Sequence, residues 1–242
     1  MALIQNLKRS RERFLDRHVD ADDWFAKFFS ATTYALWKST RPLLRDHCAG
    51  TVLDAGSGRG SWRNSIMRSA SLYESIDLAP RNNDTPTWIG SIMDMPDVPA
   101  GRYDTVYCQQ VLEHVREPLK ALSEMYRVLK PGGTVILGVP HLSRRHELPH
   151  DYFRVTQEGI AALLDDTGFM EISVRPYGGL LSFLHHQTSF VFPGLLMGTP
   201  LLGELAGILN APVSWLLSDL DQILDRESLF PAGVLATARK PR

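Results

Sequence analysis

From residue 51 to residue 139, short β-branched and aromatic runs alternate with stretches whose apolar residues recur every three or four positions, the pattern of parallel strands joined by helical crossovers. Strands are predicted at 51–55, 73–78, 87–89, 103–108 and 134–139. The clearest helix lies in EPLKALSEMYRVLKPGG. There Pro118 suits a first turn, Leu119, Leu122, Met125, Tyr126 and Leu129 share one face, and Pro131, Gly132 and Gly133 end it. A further unit follows, with a helix from about Thr156 to Thr167, Gly168 at its end and a strand at 169–174; a last strand-like run, 233–238, comes only after a long interruption. The pattern predicts an α/β fold, a doubly wound and mostly parallel seven-stranded sheet.

Two regions depart from this alternation. The segment ADDWFAKFFSATTYALWKSTRPLL is predicted helical, with Asp22 or Asp23 near its start and Pro42 near its stop. Its six aromatic residues between Trp24 and Trp37 either pack on the main domain or cover a ligand. The interruption from Gly178 to Leu217 carries one formal charge, Glu204, in forty residues. Pro193, Pro200 and Pro212 are expected to divide it into pieces shorter than the roughly 20 apolar residues of a spanning helix. A lid, a homodimer interface and a peripheral, in-plane membrane contact are the readings of this stretch. The expected organisation is an N-terminal helical extension (1–48), a core (49–177 and 229–242) and an apolar helical insert before the last strand (178–228).

Composition narrows the chemistry. The 26 Lys and Arg nearly cancel 27 Asp and Glu, so no global field recruits nucleic acid. Cys48 and Cys108 are too few for a disulfide framework or a structural zinc or iron–sulfur site. The N-terminus, MALIQNLKRSRERFLDRH, breaks into charge after seven residues, and a cytoplasmic protein is expected.

The stretch VLDAGSGRGSW then sets glycines at 56, 58 and 60 directly after a predicted strand. In a dinucleotide fingerprint the last glycine would fall at Ser61. Asp54, just before the turn, would repel a pyrophosphate and attract a ligand with ammonium or sulfonium charge. Asp77, twenty-three residues on at the end of the next strand, stands where a carboxylate can accept both hydroxyls of a ribose. A nucleoside with an amino-acid-like tail fits both acids. Each residue also has a plain structural reading: Asp54 bonding loop amides, Gly60 serving helix packing, Asp77 capping the turn before Pro80.

This constellation resembles the class I S-adenosylmethionine-dependent methyltransferases, with their Rossmann-like fold, over residues 51–169. Within them, YDTVYCQQVLEHVREPLKALSEMYRVLKPGGTVILGVP is similar to the small-molecule type 11 group, and HDYFRVTQEGIAALLDDTGF resembles a later segment common there. The resemblance implies S-adenosylmethionine as cofactor, with Asp54, Gly56, Ser57, Gly58 and Gly60 around its methionine end. It further implies Asp77 on the ribose, Leu78 beside the adenine and Gln109 beside the methionine moiety. Many relatives carry G-D and an apolar residue after the third strand. Here Gly90, Ser91 and Ile92 stand there, so Ser91 or the backbone must replace the acidic acceptor.

A sulfonium methyl is already activated, so the protein's main task is alignment and exclusion of water. A hydroxyl acceptor would call for a general base, and His114, His141, His146 and His150 lie in loops where open parallel sheets bind ligands. His114 is the base expected, against the alternative that it shapes its loop by bonding the backbone. His150, Tyr152, Phe153 and Arg154 are expected around the acceptor, while His185 and His186 could face the site or cap a helix. HELPH spells a zinc-protease motif, but Pro149 disrupts the helix that motif needs, and no metal is expected. The leading function is methyl transfer to a small or lipid-linked acceptor, expected at a hydroxyl. An NAD(P)-dependent oxidoreductase and a non-catalytic scaffold or membrane-docking module are the alternatives. The CQQV stretch, in place of an N/D-P-P-Y/F-like grip on an amine, argues against nucleic acid.

Overall fold

The computed structural model describes residues 14, 16–81, 85–196 and 199–242. Its strands are β1 (Gly50–Ala55), β2 (Ala70–Asp77), β3 (Trp88–Ile89), β4 (Tyr103–Gln109), β5 (Leu129–Pro140), β6 (Met170–Tyr177) and β7 (Gly233–Arg239). Its helices are α1 (Trp24–Phe28), α2 (Ala31–His47), α3 (Arg63–Met67), α4 (Pro118–Val128), α5 (Gln157–Asp166), α6 (Leu180–Leu196) and α7 (Pro200–Leu224), with a 3₁₀ turn at Leu112–His114. The strands form one sheet in the order β3-β2-β1-β4-β5-β7-β6. β1 runs parallel to β2 and β4, β4 parallel to β5, and β7 antiparallel to β5. All seven predicted strands are present.

The central strands are apolar on both faces because helices cover both: Val52, Leu53, Val106, Val135, Ile136 and Leu137 are fully buried. Helix α4 starts on Pro118, which has no amide hydrogen to leave unpaired, and buries Ala121, Leu122, Met125 and Val128 along one stripe. Thr156 caps α5, its hydroxyl accepting from the Gly159 amide at 3.0 Å. Both cysteines are buried thiols, and burial pushes Cys48 up to about 11, so neither is a reactive thiolate.

The chain divides into two compact units, 39–176 with 233–242, and 1–38 with 177–232. The N-terminal helices and the insert, separate segments in the sequence reading, therefore belong to one unit, and residues 39–48 go with the sheet. Within the helical unit, Phe25 of α1 packs edge-on against Phe14 and lies where a side chain on Gly207 would stand, 2.5 Å from the would-be Cβ. The α1 aromatics thus find partners on the insert helix α7. His185 and His186 cap: Nδ1 of His185 accepts from the Ala31 amide at 3.0 Å, and Nδ1 of His186 lies 2.7 Å from the Ser30 hydroxyl.

Three expectations about proline are corrected, the first at Pro193, which lies within α6 and does not end it. Pro42 sits inside α2, which continues to His47, and Pro212 sits inside α7, which runs unbroken for 25 residues. A proline removes one hydrogen bond and crowds one carbonyl, and flanking packing can hold the helix through that loss. Leu43 and Leu44 are buried beyond Pro42, Ser214 and Ser218 beyond Pro212. As a result, Leu201–Leu224 is long and apolar enough to cross a membrane by length and composition.

Replacing Leu122 with Ala is expected to lower stability by about 2–5 kcal/mol in chemical denaturation, as for a fully buried leucine. The same change at Leu201, which is 82% exposed, should shift it by less than about 0.5 kcal/mol.

Candidate active site

The order of strands runs outward in both directions from the β1–β4 pair, so the turns leaving these two strands open a crevice at the carboxyl edge. After β1, the amides of Gly56 and Ser57 both donate to the Ile76 carbonyl, at 2.8 and 3.2 Å. Gly56 has φ of +80°, and a Cβ there would lie 2.6 Å from both methyls of Val111. Gly58 also has positive φ, but the place of its missing side chain is open, with no atom within 4 Å. The first glycine lets two loops touch; the second leaves the backbone bare to whatever occupies the crevice.

The crevice has a volume of about 600 Å³, within the range of small-molecule sites. It is bounded by the β1 turn, the end of β2, the segment after β3, the turn after β4 and the loop 146–152. Asp77 is fixed at its edge: one carboxylate oxygen accepts the Gly58 amide at 2.7 Å and the other the Leu78 amide at 2.8 Å. Each oxygen keeps a further lone pair.

Among the residues singled out from sequence, Gly56, Gly58, Asp77, Leu78, Ser91, Ile92, His114, His150 and Tyr152 line this one cavity, and His146 joins them. Others lie elsewhere. Asp54 is buried on the strand, accepts from the Tyr73 hydroxyl at 2.8 Å, and is not among the residues that line the cavity. Ser57 is buried, and Gly60 shapes the turn by donating to the Ser57 carbonyl at 2.9 Å. The Gln109 amide fills the space left by the missing side chain of Gly138, and its neighbour Gln110, at φ of +55°, lines the cavity instead. Arg154 clamps the loop: its guanidinium binds both oxygens of Asp151, at 2.6 and 2.9 Å, and donates to the carbonyls of Phe153 and Arg144. The Arg154 guanidinium holds the Asp151 carboxyl well below the usual carboxylate range, against its burial. No helix forms over 143–156, so HELPH cannot present its histidines as a zinc-protease helix does.

Glu113 was not among the residues predicted. It is fully buried, and neither carboxylate oxygen has a hydrogen-bond partner among the described residues. One of its oxygens lies 3.6 Å from Nε2 of His114 and 3.7 Å from Nε2 of His146, and the two imidazoles meet nearly edge to face. Nδ1 of His114 lies 2.6 Å from the His150 carbonyl, a contact that only a protonated Nδ1 can make. A neutral His114 therefore carries its lone pair on Nε2. The Glu113 carboxylate raises the pKa of His146, with burial opposing. The donor atoms of Glu113, His114 and His146 lie within 4.8 Å of one another, a carboxylate and two imidazoles of a kind that can hold a divalent cation. The signal in the sequence was the letter next to His114 in VLEHV.

Sheet order, antiparallel last strand, glycine turn and the carboxylate closing β2 together define the S-adenosylmethionine-dependent methyltransferase class. Residues 8–185 match the methyltransferase-domain family, and the chain belongs to it. It is 31% identical over 104 residues to a ubiquinone biosynthesis O-methyltransferase of Xanthomonas oryzae pv. oryzae, covering 38% of this chain and 44% of that one. The chain thus spans less than half the length of the curated relatives it matches. Among solved structures, phosphoethanolamine N-methyltransferase 2 of Haemonchus contortus, in complex with S-adenosyl-L-methionine, superposes with a TM-score of 0.56 at 18% identity over 96% of this chain and 60% of that one. Geranyl diphosphate C-methyltransferase of Streptomyces coelicolor gives 0.55 at 16% identity over 85% and 76%. These two likenesses are of fold.

The Asp151–Arg154 clamp carries a pH signature. A carboxyl depressed in the folded state contributes stability that is present above its unfolded pKa, about 4, and lost as pH falls through the folded value. The melting-temperature difference between the wild type and Asp151→Asn should be at its full value near pH 5 and shrink steadily below about pH 4.

Proposed function

We propose that the protein transfers a methyl group from S-adenosylmethionine to a hydroxyl of a small or lipid-linked acceptor, with His114 as general base. One observation carries this reading: a single cavity holds a carboxylate pre-set by two backbone amides, Asp77, and a histidine whose tautomer is fixed by a backbone carbonyl, His114. The cavity fits the cofactor. The free lone pairs of Asp77 suit two ribose hydroxyls, Leu78 and Ile92 give apolar walls for a base, and the bare backbone at Gly58 admits the methionine end. When bound, the cofactor supplies a methyl already activated by its sulfonium charge.

What remains for the chain is orientation, exclusion of water and one proton. Val111, wedged against Gly56, closes the crevice between the β1 and β4 turns. The Glu113 carbonyl accepts from the Tyr152 amide at 2.8 Å and tethers the 146–152 loop over the same cavity. The hydroxyl proton of the acceptor passes to Nε2 of His114, where the buried Glu113 carboxylate stands 3.6 Å from the charge that arrives. The Xanthomonas relatives named as O-methyltransferases favour oxygen as the accepting atom.

Calorimetry with S-adenosylmethionine should show binding, weakened about tenfold or more by Asp77→Asn. In assays with methyl-labelled cofactor and a panel of phenolic and hydroxylated-lipid acceptors, His114→Ala should keep cofactor binding and lose about 10²–10⁴ in kcat. Binding of NADH and no binding of S-adenosylmethionine would overturn the reading.

The unpartnered Glu113 favours a second reading, in which Glu113, His114 and His146 hold a divalent cation that acidifies the acceptor hydroxyl. Activity lost on dialysis against a chelator and restored by Mg²⁺, Mn²⁺ or Zn²⁺ would select it. Activity indifferent to chelation selects the free base.

A further inference from the structure

Two residues beyond His114, the exposed side chain of Arg116 lines the rim of the same cavity. Among the described residues it pairs with no carboxylate, and its contacts are with one side chain, Tyr152. Nε donates to the Tyr152 hydroxyl at 3.1 Å, and the guanidinium carbon stands 5.6 Å from the ring centroid. The acids closest in sequence are placed otherwise: Glu117 pairs with Nζ of Lys120 at 2.5 Å, and the buried Glu113 stands by His114. A guanidinium in water is the ordinary state of an exposed arginine. What distinguishes Arg116 is that a tyrosine holds it at the edge of a site.

Tyr152 is itself fixed. Its amide donates to the Glu113 carbonyl at 2.8 Å, and its hydroxyl lies 2.9 Å from Nδ1 of His150. A hydroxyl that accepts from Arg116 still has its own hydrogen to give, and Nδ1 of a neutral His150 takes it, which leaves the imidazole hydrogen on Nε2. The relay therefore ends in donors on both sides, Nη1 and Nη2 of Arg116 and Nε2 of His150, none of them with a hydrogen-bond partner among the described residues. With Nε committed, the guanidinium keeps its end-on fork, two N–H groups that match the spacing of two carboxylate or phosphate oxygens.

Position assigns the anion to the acceptor. Asp77 and Gly58, the cofactor's residues in the methyl-transfer reading, belong to the turns after β2 and β1, whereas Arg116, His150 and Tyr152 belong to the turn after β4 and the 146–152 loop. The His150 carbonyl lies 2.6 Å from Nδ1 of His114, so the residue that supplies a donor to the rim also fixes the base. Charge points the same way. The lining carries two carboxylates, Asp77 and Glu147, against the guanidiniums of Arg81 and Arg116 and three imidazoles, and Asp77 is already engaged by two amides.

We infer that Arg116, oriented by Tyr152 and joined by His150, binds a carboxylate or phosphate group of the acceptor and so holds the acceptor's hydroxyl at His114. The inference rests on the methyl-transfer reading and narrows its acceptor from a hydroxylated molecule to an anionic one. Arg116 is a binding residue and Tyr152 a positioning residue.

The test is calorimetry of the full chain saturated with S-adenosylmethionine, at fixed ionic strength, titrated with benzoate, phenyl phosphate and benzamide, the neutral isostere of benzoate. At least one of the two anions should bind about tenfold or more tightly than benzamide, and the tighter of them tells which oxyanion the rim takes. Arg116→Met should erase that preference while its affinity for S-adenosylmethionine stays within about twofold of the wild type, and Arg116→Lys should restore part of it, having the charge without the fork. Tyr152→Phe, which keeps the charge and removes its anchor, should weaken the anion by about three- to tenfold. A wild type that prefers neither anion to benzamide overturns the inference, as does a preference that survives Arg116→Met; in both cases the cofactor still binds and the methyl-transfer reading stands. A tenfold loss of S-adenosylmethionine affinity in Arg116→Met also overturns it, because the arginine then serves the methionine carboxylate. A wild type that binds no S-adenosylmethionine brings down the methyl-transfer reading first and the inference with it.

Discussion

The backbone leaving β1 runs so close to the turn leaving β4 that Gly56 has no space for a side chain beside Val111. That approach sets the geometry of the crevice. It aligns Gly58 with the Asp77 carboxylate, and it brings the 3₁₀ turn carrying Glu113 and His114 to the opposite wall. The β1–β4 register, Asp54 opposite Tyr107, fixes both turns at the same height above the sheet. The cavity is therefore a product of strand pairing more than of any loop's own preference.

Much of this was legible in the sequence because parallel strands and glycine turns leave local marks. The seven strands, the start of α4 at Pro118 and the start of α5 at about Thr156 follow from patterns within a few residues. Asp77 was legible for the same reason, as the last residue of its strand. Less legible was anything decided by which way a strand-end residue faces. Asp54 turns to the Tyr73 hydroxyl, and Gln109 turns to the gap at Gly138 while Gln110 takes the cavity. A one-residue change of face is invisible without the partner strand. Arg154, read as a pocket residue, is committed to Asp151, a partner whose geometry depends on the loop's path. The union of the N-terminal helices with the insert was hidden by the more than one hundred residues between them.

Glu113 shows how a buried charge can be diagnostic. An ionised carboxyl with no donor is unfavourable in a protein interior, and such groups persist where a positive species comes to meet them. Here two imidazole nitrogens approach one carboxylate oxygen at 3.6 and 3.7 Å without completing a hydrogen bond. The backbone carbonyl of the same residue tethers the 146–152 loop, so one short turn both carries the charge and positions the cavity wall.

The meeting of Tyr177 and Ala232 has an evolutionary consequence. Loop-closure entropy grows only as the logarithm of loop length, and a segment whose ends are already joined asks nothing of the sheet that bears it. The register of β5 with β7 is therefore insensitive to what lies between residues 178 and 231. Descent can lengthen, shorten or exchange that module while the crevice between the β1 and β4 turns is inherited intact.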